Sequence, residues 1–271
     1  METTNFLTYF LYPELRYHYA TVTYSNTGDR VLAMTWMSNW QYANLTPFKQ
    51  NRGANGLPRE LKLYEKDGKY YISENVAPEA YVLRKDSHDL GNETVDEAKE
   101  FKGAAANMEG AFEIEADITP DANGIAGIEI SNNKLERTMI YFDMKQGKVI
   151  MDRTESGLTD FGKKAVPHDI ELAWDKQREQ QGKLPFRMEN AINYKNDFAL
   201  ATWAPLSLCD GKQTYHVDIF VDKSSIELFV NNGRIAMTNL VFPVAPYENV
   251  KLYSKDGKAE FKNVKIHKLS L

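Results

Sequence analysis

Short segments that alternate apolar and polar residues recur along most of this 271-residue chain, and they constrain its fold more than any other feature. Successive side chains of a β-strand point to opposite faces, so a period of two predicts strands that bury one face. Turn-forming residues separate the segments, including Asn232-Gly233 and Asp256-Gly257. The chain is therefore predicted to be all-β.

Two groups of strands follow from this pattern. Between residues 19 and 72 it predicts a four-stranded antiparallel unit, the content of one propeller blade, over Tyr19 to Ser25, Arg30 to Trp36, Glu60 to Tyr64 and Tyr70 to Ile72. From about Gly103 onward, regular strand spacing predicts a β-sandwich. Its strands are expected over Ala111 to Ile118, Ala126 to Ser131, Thr138 to Asp143, Val149 to Arg153, Tyr215 to Val221, Ser225 to Val230, Ala236 to Phe242, Val250 to Ser254 and Glu260 to His267.

The segment Trp36 to Asn44 concentrates two indoles, a phenol and several amide side chains. Flat aromatic faces stack on the C–H face of sugar rings, while amides supply donors and acceptors for hydroxyl groups. The segment therefore predicts a sugar-contact site formed by Trp36, Asn39, Trp40 and Gln41. Packing of the same aromatic residues in a sheet core is the competing interpretation. Strand alternation would place Trp36 and Trp40 on one face, and Met37 and Gln41 on the other.

Three further motifs follow in order: Leu57 to Leu61 (Leu-Pro-Arg-Glu-Leu), Asp152 to Gly157 (Asp-Arg-Thr-Glu-Ser-Gly) and Ile219 to Phe229. With the Trp36 segment they resemble glycoside hydrolase family 32, the levanase, inulinase and invertase family. The resemblance runs from about Tyr17 to Leu271. It implies a five-bladed β-propeller that carries the active site, followed by a β-sandwich. Asn51 departs from the family pattern, which usually has Trp before Arg52-Gly53.

The resemblance also implies three catalytic carboxylates, which this sequence lacks. The family places an Asp in Asn-Asp-Pro-Asn/Asp, an Asp in Arg-Asp-Pro and a Glu before Cys. Here no Asp precedes a Pro, the one Asn-Asp pair, at Asn196-Asp197, is followed by Phe198, and the single Cys209 follows Leu208. No catalytic residue is therefore assigned.

The resemblance divides the chain into three parts. Residues 1–76 are expected to be the remnant of the last propeller blade, 77–102 a linker, and 103–271 the C-terminal sandwich with a surface insertion near 163–195. A propeller blade without neighbouring blades exposes apolar surface, which another element or chain must cover. The sandwich, a second copy in a symmetric dimer, an N-terminal propeller partner or the apolar run in Met1 to Pro13 could cover it.

Other candidate residues are better explained by structure than by chemistry. Arg59 and Glu60 are adjacent on a strand, so they point to opposite faces and cannot form a catalytic pair. The sandwich motifs are expected to form ion pairs and turns, through Asp152, Arg153, Glu155, Ser156, Asp222, Lys223, Ser224 and Glu227. The five histidines, His18, His88, His168, His216 and His267, show no metal-ligand spacing. No cofactor or metal is expected.

The charge and the N-terminal sequence limit the classes of partner and the location that can be expected. A net charge of -5 with scattered Lys and Arg argues against nucleic acid, and no apolar run is long enough to span a bilayer. Met1 to Arg16 has Glu2 where a signal peptide has basic residues, so no signal is predicted, although the resemblance suggests export. The expected ligand is a fructan or fructose-containing oligosaccharide. The expected function is that of a fructan-related hydrolase that is inactive alone; a fructan-binding module and half of a split fructosidase are the alternatives.

Overall fold

The computed structural model describes residues 19–38, 42, 45–48, 53–161, 173, 176–182, 198–211 and 213–271. These residues form one four-stranded sheet and two six-stranded sheets, all with antiparallel pairing. The fold is all-β, a propeller-type blade followed by a β-sandwich, as the sequence predicts. In the described part of the chain, no helix is long and apolar enough to cross a membrane.

The blade contains β1 (Tyr19–Thr23), β2 (Val31–Trp36), β3 (Arg59–Lys66) and β4 (Lys69–Val76), in the order β1-β2-β3-β4. Lys66 pairs with Lys69, so Asp67 and Gly68 alone form the turn between β3 and β4. Both have positive φ, 52° and 71°, the conformation for which Asp-Gly turns are suited.

The first sandwich sheet has the strand order β11-β10-β9-β8-β15-β6. These strands are β6 (Ala98–Phe101), β8 (Ile125–Ser131), β9 (Arg137–Asp143), β10 (Lys148–Asp152), β11 (Ala201–Pro205) and β15 (Asn249–Lys255). The second sandwich sheet has the order β14-β13-β12-β7-β16-β5. Its strands are β5 (Arg84–Val95), β7 (Phe112–Pro120), β12 (Tyr215–Asp222), β13 (Ser225–Val230), β14 (Ile235–Leu240) and β16 (Ala259–Leu269).

The main core lies between the two sandwich sheets. Alternate residues of each strand enter it, such as Ile128, Ile140 and Phe142 from the first sheet and Val217 and Ile219 from the second. All nine sandwich strands expected from the sequence are present, with ends that differ by at most two residues.

The structure differs from the expected linker over residues 77–102. Most of this stretch forms β5 and β6, which pair with β16 and β15 of the sandwich. Only Ala77 and the 3-10 helix Pro78–Leu83 connect the blade to the sandwich. β5 is an edge strand with a largely polar, exposed sequence, and edge strands need no alternating apolar pattern. Most of the expected insertion near 163–195 lies outside the described residues, although residues 176–180 are helical.

The blade packs on the sandwich through two smaller apolar clusters. One joins Val76 and Ala80 to Phe220 and Phe229 of the second sandwich sheet. The other joins Met37 and Tyr42, which follow β2, to Phe198, Leu240 and Phe242. Docking on the sandwich therefore covers part of the blade.

Candidate functional site at the junction of blade and sandwich

Trp36 ends β2 at the junction of blade and sandwich. It is half-buried and forms an isolated bridge with Asn55. Gly53 lies against its indole, because a Cβ atom at Gly53 would come 2.4 Å from Trp36 Nε1. Only glycine therefore fits at position 53, beside the Trp36 indole. The other three predicted sugar contacts, Asn39, Trp40 and Gln41, lie outside the described residues.

Met37 and Trp36 take different faces, whereas Trp40 and Gln41, the other half of the expected alternation, lie outside the described residues. Met37 is buried in the cluster with Phe198 and Leu240, so Trp36 takes the opposite face. Tyr42 is also buried there, with its ring 5.4 Å from the Phe198 ring in an edge-on arrangement. Part of the aromatic segment therefore packs in a core, the interpretation that competed with sugar contact.

Arg59 forms the centre of a buried polar network between the blade and the sandwich. Its guanidinium donates to Glu227 at 3.0 Å and to Thr238 at 2.6 Å, both in the second sandwich sheet, and to Glu74 of β4 at 2.8 Å. The backbone N–H of Leu57 donates to the other oxygen of Glu227 at 2.8 Å. The network joins the Leu57 to Leu61 motif to the Ile219 to Phe229 motif.

Glu60 points away from this network. Its carboxylate contacts Arg30 and Lys62, each at 3.4 Å, on the opposite side of β3 from Arg59. Arg59 and Glu60 therefore lie on opposite faces of β3, as strand alternation predicts.

Arg153 lies in the second cluster of the junction, with its guanidinium 5.9 Å from the centroid of the Tyr42 ring. It is fully buried, donates to the carbonyl oxygen of Leu240 at 2.9 Å, and lies over the Phe198 ring with its central carbon 3.9 Å from the centroid. Charge over an aromatic face is favourable, most of all where water is excluded. Tyr247 fixes the following turn by donating to the Ser156 carbonyl at 2.9 Å.

The remaining motif residues form turns and ion pairs, as the sequence predicts. Asp152 accepts two hydrogen bonds from Thr154, through the backbone N–H and the hydroxyl, while Glu155 pairs with Arg137. In the turn between β12 and β13, Asp222 accepts from the Lys223 N–H, and the Ser224 carbonyl accepts from Val241. These residues hold strands together.

A second buried charge cluster was not found by sequence reasoning. Arg84 donates to both carboxylate oxygens of Glu113, at 2.6 and 2.5 Å, and lies 3.8 Å from Asp218. Burial raises the pKa of Glu113 and of Asp218, although Arg84 acts in the opposite direction on both. The alternation of Glu113, Glu115 and Asp117 along β7 was the available signal. The cluster holds β5 to β7 and β12.

Hydrogen-bond donors hold the carboxylates of the junction in place. The buried carboxylate, Glu227, has a guanidinium on one oxygen and a backbone N–H on the other, so it is held as an ion-paired acceptor. Glu74, the second carboxylate near it, accepts from the same guanidinium at 2.8 Å, so one ion-paired network holds both carboxylates. In the part of the chain that the structure describes, no three His, Cys, Asp or Glu side chains are placed to hold a metal ion.

Comparison with known proteins agrees with this architecture. Residues 79–268 match the model for the C-terminal domain of glycosyl hydrolases family 32, and residues 16–74 match the model for its N-terminal domain. The chain is 29% identical over 256 residues to a levanase of Bacillus subtilis, covering 93% of this chain and 33% of that protein. It is 25% identical over 238 residues to an extracellular exo-inulinase of Aspergillus niger, covering 87% and 38%.

Solved structures share the fold. An exo-inulinase from Aspergillus awamori superposes with a TM-score of 0.68 at 19% identity, covering 94% of this chain and 43% of that one. A β-fructofuranosidase from Schwanniomyces occidentalis superposes with a TM-score of 0.65 at 21% identity, covering 94% and 48%. The chain thus spans less than half of each of these relatives. Since the C-terminal model alone matches more than half of its residues, the chain belongs to glycosyl hydrolase family 32.

Proposed function

We propose that residues 1–271 are the non-catalytic, C-terminal part of a fructan-cleaving enzyme, and that they do not hydrolyse fructans by themselves. The hydrogen-bond donors around Glu227 carry this proposal. Glu227 is the buried carboxylate of the junction, and Arg59, Thr238 and the Leu57 N–H all donate to it. A retaining glycosidase needs one carboxyl group free to attack the sugar and another free to protonate the leaving oxygen, whereas donors occupy both oxygens of Glu227.

The substrate class is proposed from relatives whose names are levanase, exo-inulinase and β-fructofuranosidase. In this proposal the blade contributes one wall of a fructoside site, with Trp36, Asn39, Trp40 and Gln41 as sugar contacts. Trp40 is the first choice for stacking on the sugar ring. The catalytic carboxylates come from residues outside this sequence, which contains no Asp-Pro and no Glu-Cys pair.

Product release from levan, inulin and sucrose tests the proposal. The purified chain is expected to release no reducing sugar or glucose above a blank without protein. Release that disappears when a residue of this chain is substituted would overturn the proposal. That substitution distinguishes the chain's own activity from a contaminating hydrolase.

Half of a split fructosidase is the second candidate, favoured by the blade's open edge. β1 pairs only with β2, so one side of β1 has no strand beside it among the described residues. A partner that carries propeller blades would extend this sheet. Mixing the chain with a polypeptide encoded directly upstream tests the candidate: fructose release that requires both polypeptides supports it, and no release from the mixture contradicts it.

A further inference from the structure

The outer face of the first sandwich sheet carries a row of aromatic residues that the proposed function does not use. Trp203 of β11 stands opposite Ile150 of β10, which stands opposite Tyr141 of β9. Tyr141 stands opposite Gly127 of β8, and Gly127 stands opposite Tyr253 of β15. These five residues, here called the aromatic row, cross five neighbouring strands in register.

The strand pattern places the aromatic row on the face away from the core. Residues on either side of its members, such as Val149, Phe142 and Ala204, are buried in the main core. Because side chains alternate, the row lies on the opposite face. Trp203, Tyr141 and Tyr253 are only half-buried there.

Because Gly127 has no side chain, the rings of Tyr141 and Tyr253 can approach each other in the middle of the aromatic row. A Cβ atom at Gly127 would come 2.1 Å from the carbonyl oxygen of Ile140 and 2.6 Å from Tyr141 Cβ. The Tyr141 and Tyr253 rings therefore meet above the glycine, with centroids 6.3 Å apart. The result is a continuous apolar strip rather than two isolated rings.

The Trp203 ring presents its face to polar groups. Lys148 Nζ lies 3.9 Å from the ring centroid. The electron-rich face that attracts an ammonium group also attracts the C–H groups of a sugar ring, so a sugar stacks there by displacing Lys148 from the ring. Trp203 and Tyr141 lie two strands apart, a separation of about 9.5 Å at ordinary strand spacing, so two rings of one chain-like ligand can stack on them.

Polar residues two positions further along the same strands form a polar margin beside the aromatic row. Glu129 accepts from Lys251 at 2.7 Å and lies 3.4 Å from Arg137, which also pairs with Glu155. Next to them lies a hollow of about 120 Å³ lined by Arg137, Met139, Asp152, Thr154 and Glu155. Because these charges are paired with each other, the margin offers donors and acceptors without a net preference for ions.

The Tyr253 hydroxyl, beside the polar margin, lacks a hydrogen-bond partner among the described residues, and its oxygen is buried. Burial raises the pKa of Tyr253, and the charges of Asp152 and Arg137, which line the hollow, also act on it. A buried hydroxyl without a partner is unfavourable, and a ligand rich in hydroxyl groups that displaces the side chains covering it can supply the partner.

We propose that the aromatic row binds a neutral polysaccharide chain that crosses the strands of the first sandwich sheet. Trp203 and Tyr141 stack on sugar rings, the polar margin accepts and donates hydrogen bonds to sugar hydroxyls, and the Tyr253 hydroxyl gains a partner. This binding is independent of the proposed function, because it involves no cleavage and no residue of the junction.

Affinity electrophoresis of the full chain in gels containing levan, inulin or dextran tests the proposal. The chain is expected to be retarded by at least one of these polymers. Trp203→Ala and Tyr141→Ala are each expected to weaken that binding by about 5- to 150-fold, the range that corresponds to loss of one stacking platform. Tyr70→Ala is the matched control, because Tyr70 is an exposed tyrosine of the blade, outside the aromatic row.

Tyr253→Phe separates a binding role from a structural one. Removing an unpartnered buried hydroxyl is expected to leave the melting temperature unchanged or higher, while the affinity for the polymer falls. Unchanged affinity in the folded Trp203→Ala and Tyr253→Phe variants would overturn the proposal. So would the absence of retardation of the wild-type chain by all three polymers, and in that case product release from fructans would still test the proposed function separately.

Discussion

Arg59 and Glu227 are 168 positions apart in the sequence and 3.0 Å apart in the fold. Their side chains are almost completely buried, at 1% and 3% exposure. Placing two charges in the protein interior costs desolvation energy, and removing one partner leaves the other charge buried and uncompensated. The single pair therefore makes docking of the blade sensitive to one side chain.

Arg59→Met is predicted to lower the free energy of unfolding by about 3–5 kcal/mol, because it leaves Glu227 without its cation. Urea denaturation measures this change. Arg30→Met is the control, since Arg30 pairs with Glu79 at the surface, where water screens the charges and such pairs contribute little to stability. Equal effects of the two substitutions would contradict this account of the junction.

Cys209 provides a second test at single-residue scale. Its thiol is buried, and burial raises its pKa to about 11. The thiolate is the reactive form, so the folded chain is predicted to react with iodoacetamide at pH 8 far more slowly than the chain unfolded in urea. Mass spectrometry of the alkylated protein measures both rates, and equal rates would show that Cys209 is accessible.

Among the sandwich strands, the sequence predicted all of the central ones and missed three of the four at the sheet edges. β5, β6 and β11 were not expected, and each lies at the edge of its sheet. Central strands need apolar residues on at least one face, which produces alternation, whereas an edge strand with polar residues on its exposed side does not. The stretch expected to be a linker is the clearest case, since β5 is held largely by pairing with β16.

The turn between β13 and β14 fixes the position of β4. The Glu74 N–H donates to the Gly233 carbonyl at 2.9 Å, and a Cβ atom at Gly233 would come 2.3 Å from Asn75 N. Gly233→Ala is predicted to loosen the blade and to speed its cleavage by trypsin.

Gly68→Ala is the matched control for that substitution. Gly68 has nearly the same φ as Gly233, 71° against 73°. A Cβ atom added at Gly68, however, would have no other atom within 4 Å. Both variants therefore carry the strain of an alanine at positive φ, about 1–2 kcal/mol. Only Gly233→Ala adds the collision with β4, so equal trypsin sensitivity of the two variants would contradict this contact.

At the scale of the whole molecule, the blade keeps apolar surface after it docks on the sandwich. Val22 and Leu63 are each about two-thirds exposed, at 68% and 67%, and Tyr24, Val31 and Tyr70 are exposed as well. Contiguous apolar patches on a soluble protein usually mark an interface. The N-terminal run in Met1 to Pro13, expected as one cover, lies outside the described residues.

We predict that the chain forms a symmetric dimer at micromolar concentration, because an isologous contact covers the same patch on both copies. Light scattering is expected to give twice the mass of one chain, and Val22→Ser with Leu63→Ser is expected to give the mass of one chain. A wild-type monomer whose stability does not change when residues 1–16 are deleted would contradict both proposed covers.

The sequence predicted the parts of the junction but not how they meet. Alternation placed Trp36 and Met37 on opposite faces, and the resemblance singled out Arg59 and Glu227. That these last two pair with each other depends on how the blade packs on the sandwich, which no local pattern encodes. The sugar contacts expected at Asn39, Trp40 and Gln41 stay predictions.

We propose that the catalytic carboxylates of the fructan-cleaving reaction lie outside these 271 residues. Retaining glycosidases form a covalent sugar ester on a carboxylate, so an activated fructosyl fluoride that traps this ester tests the claim directly. Intact-protein mass spectrometry after incubation is predicted to show the unmodified mass of the chain, under conditions in which a full-length levanase gains one fructosyl unit. A gain of one fructosyl unit, mapped by peptide sequencing to an Asp or Glu of this chain, would contradict the claim.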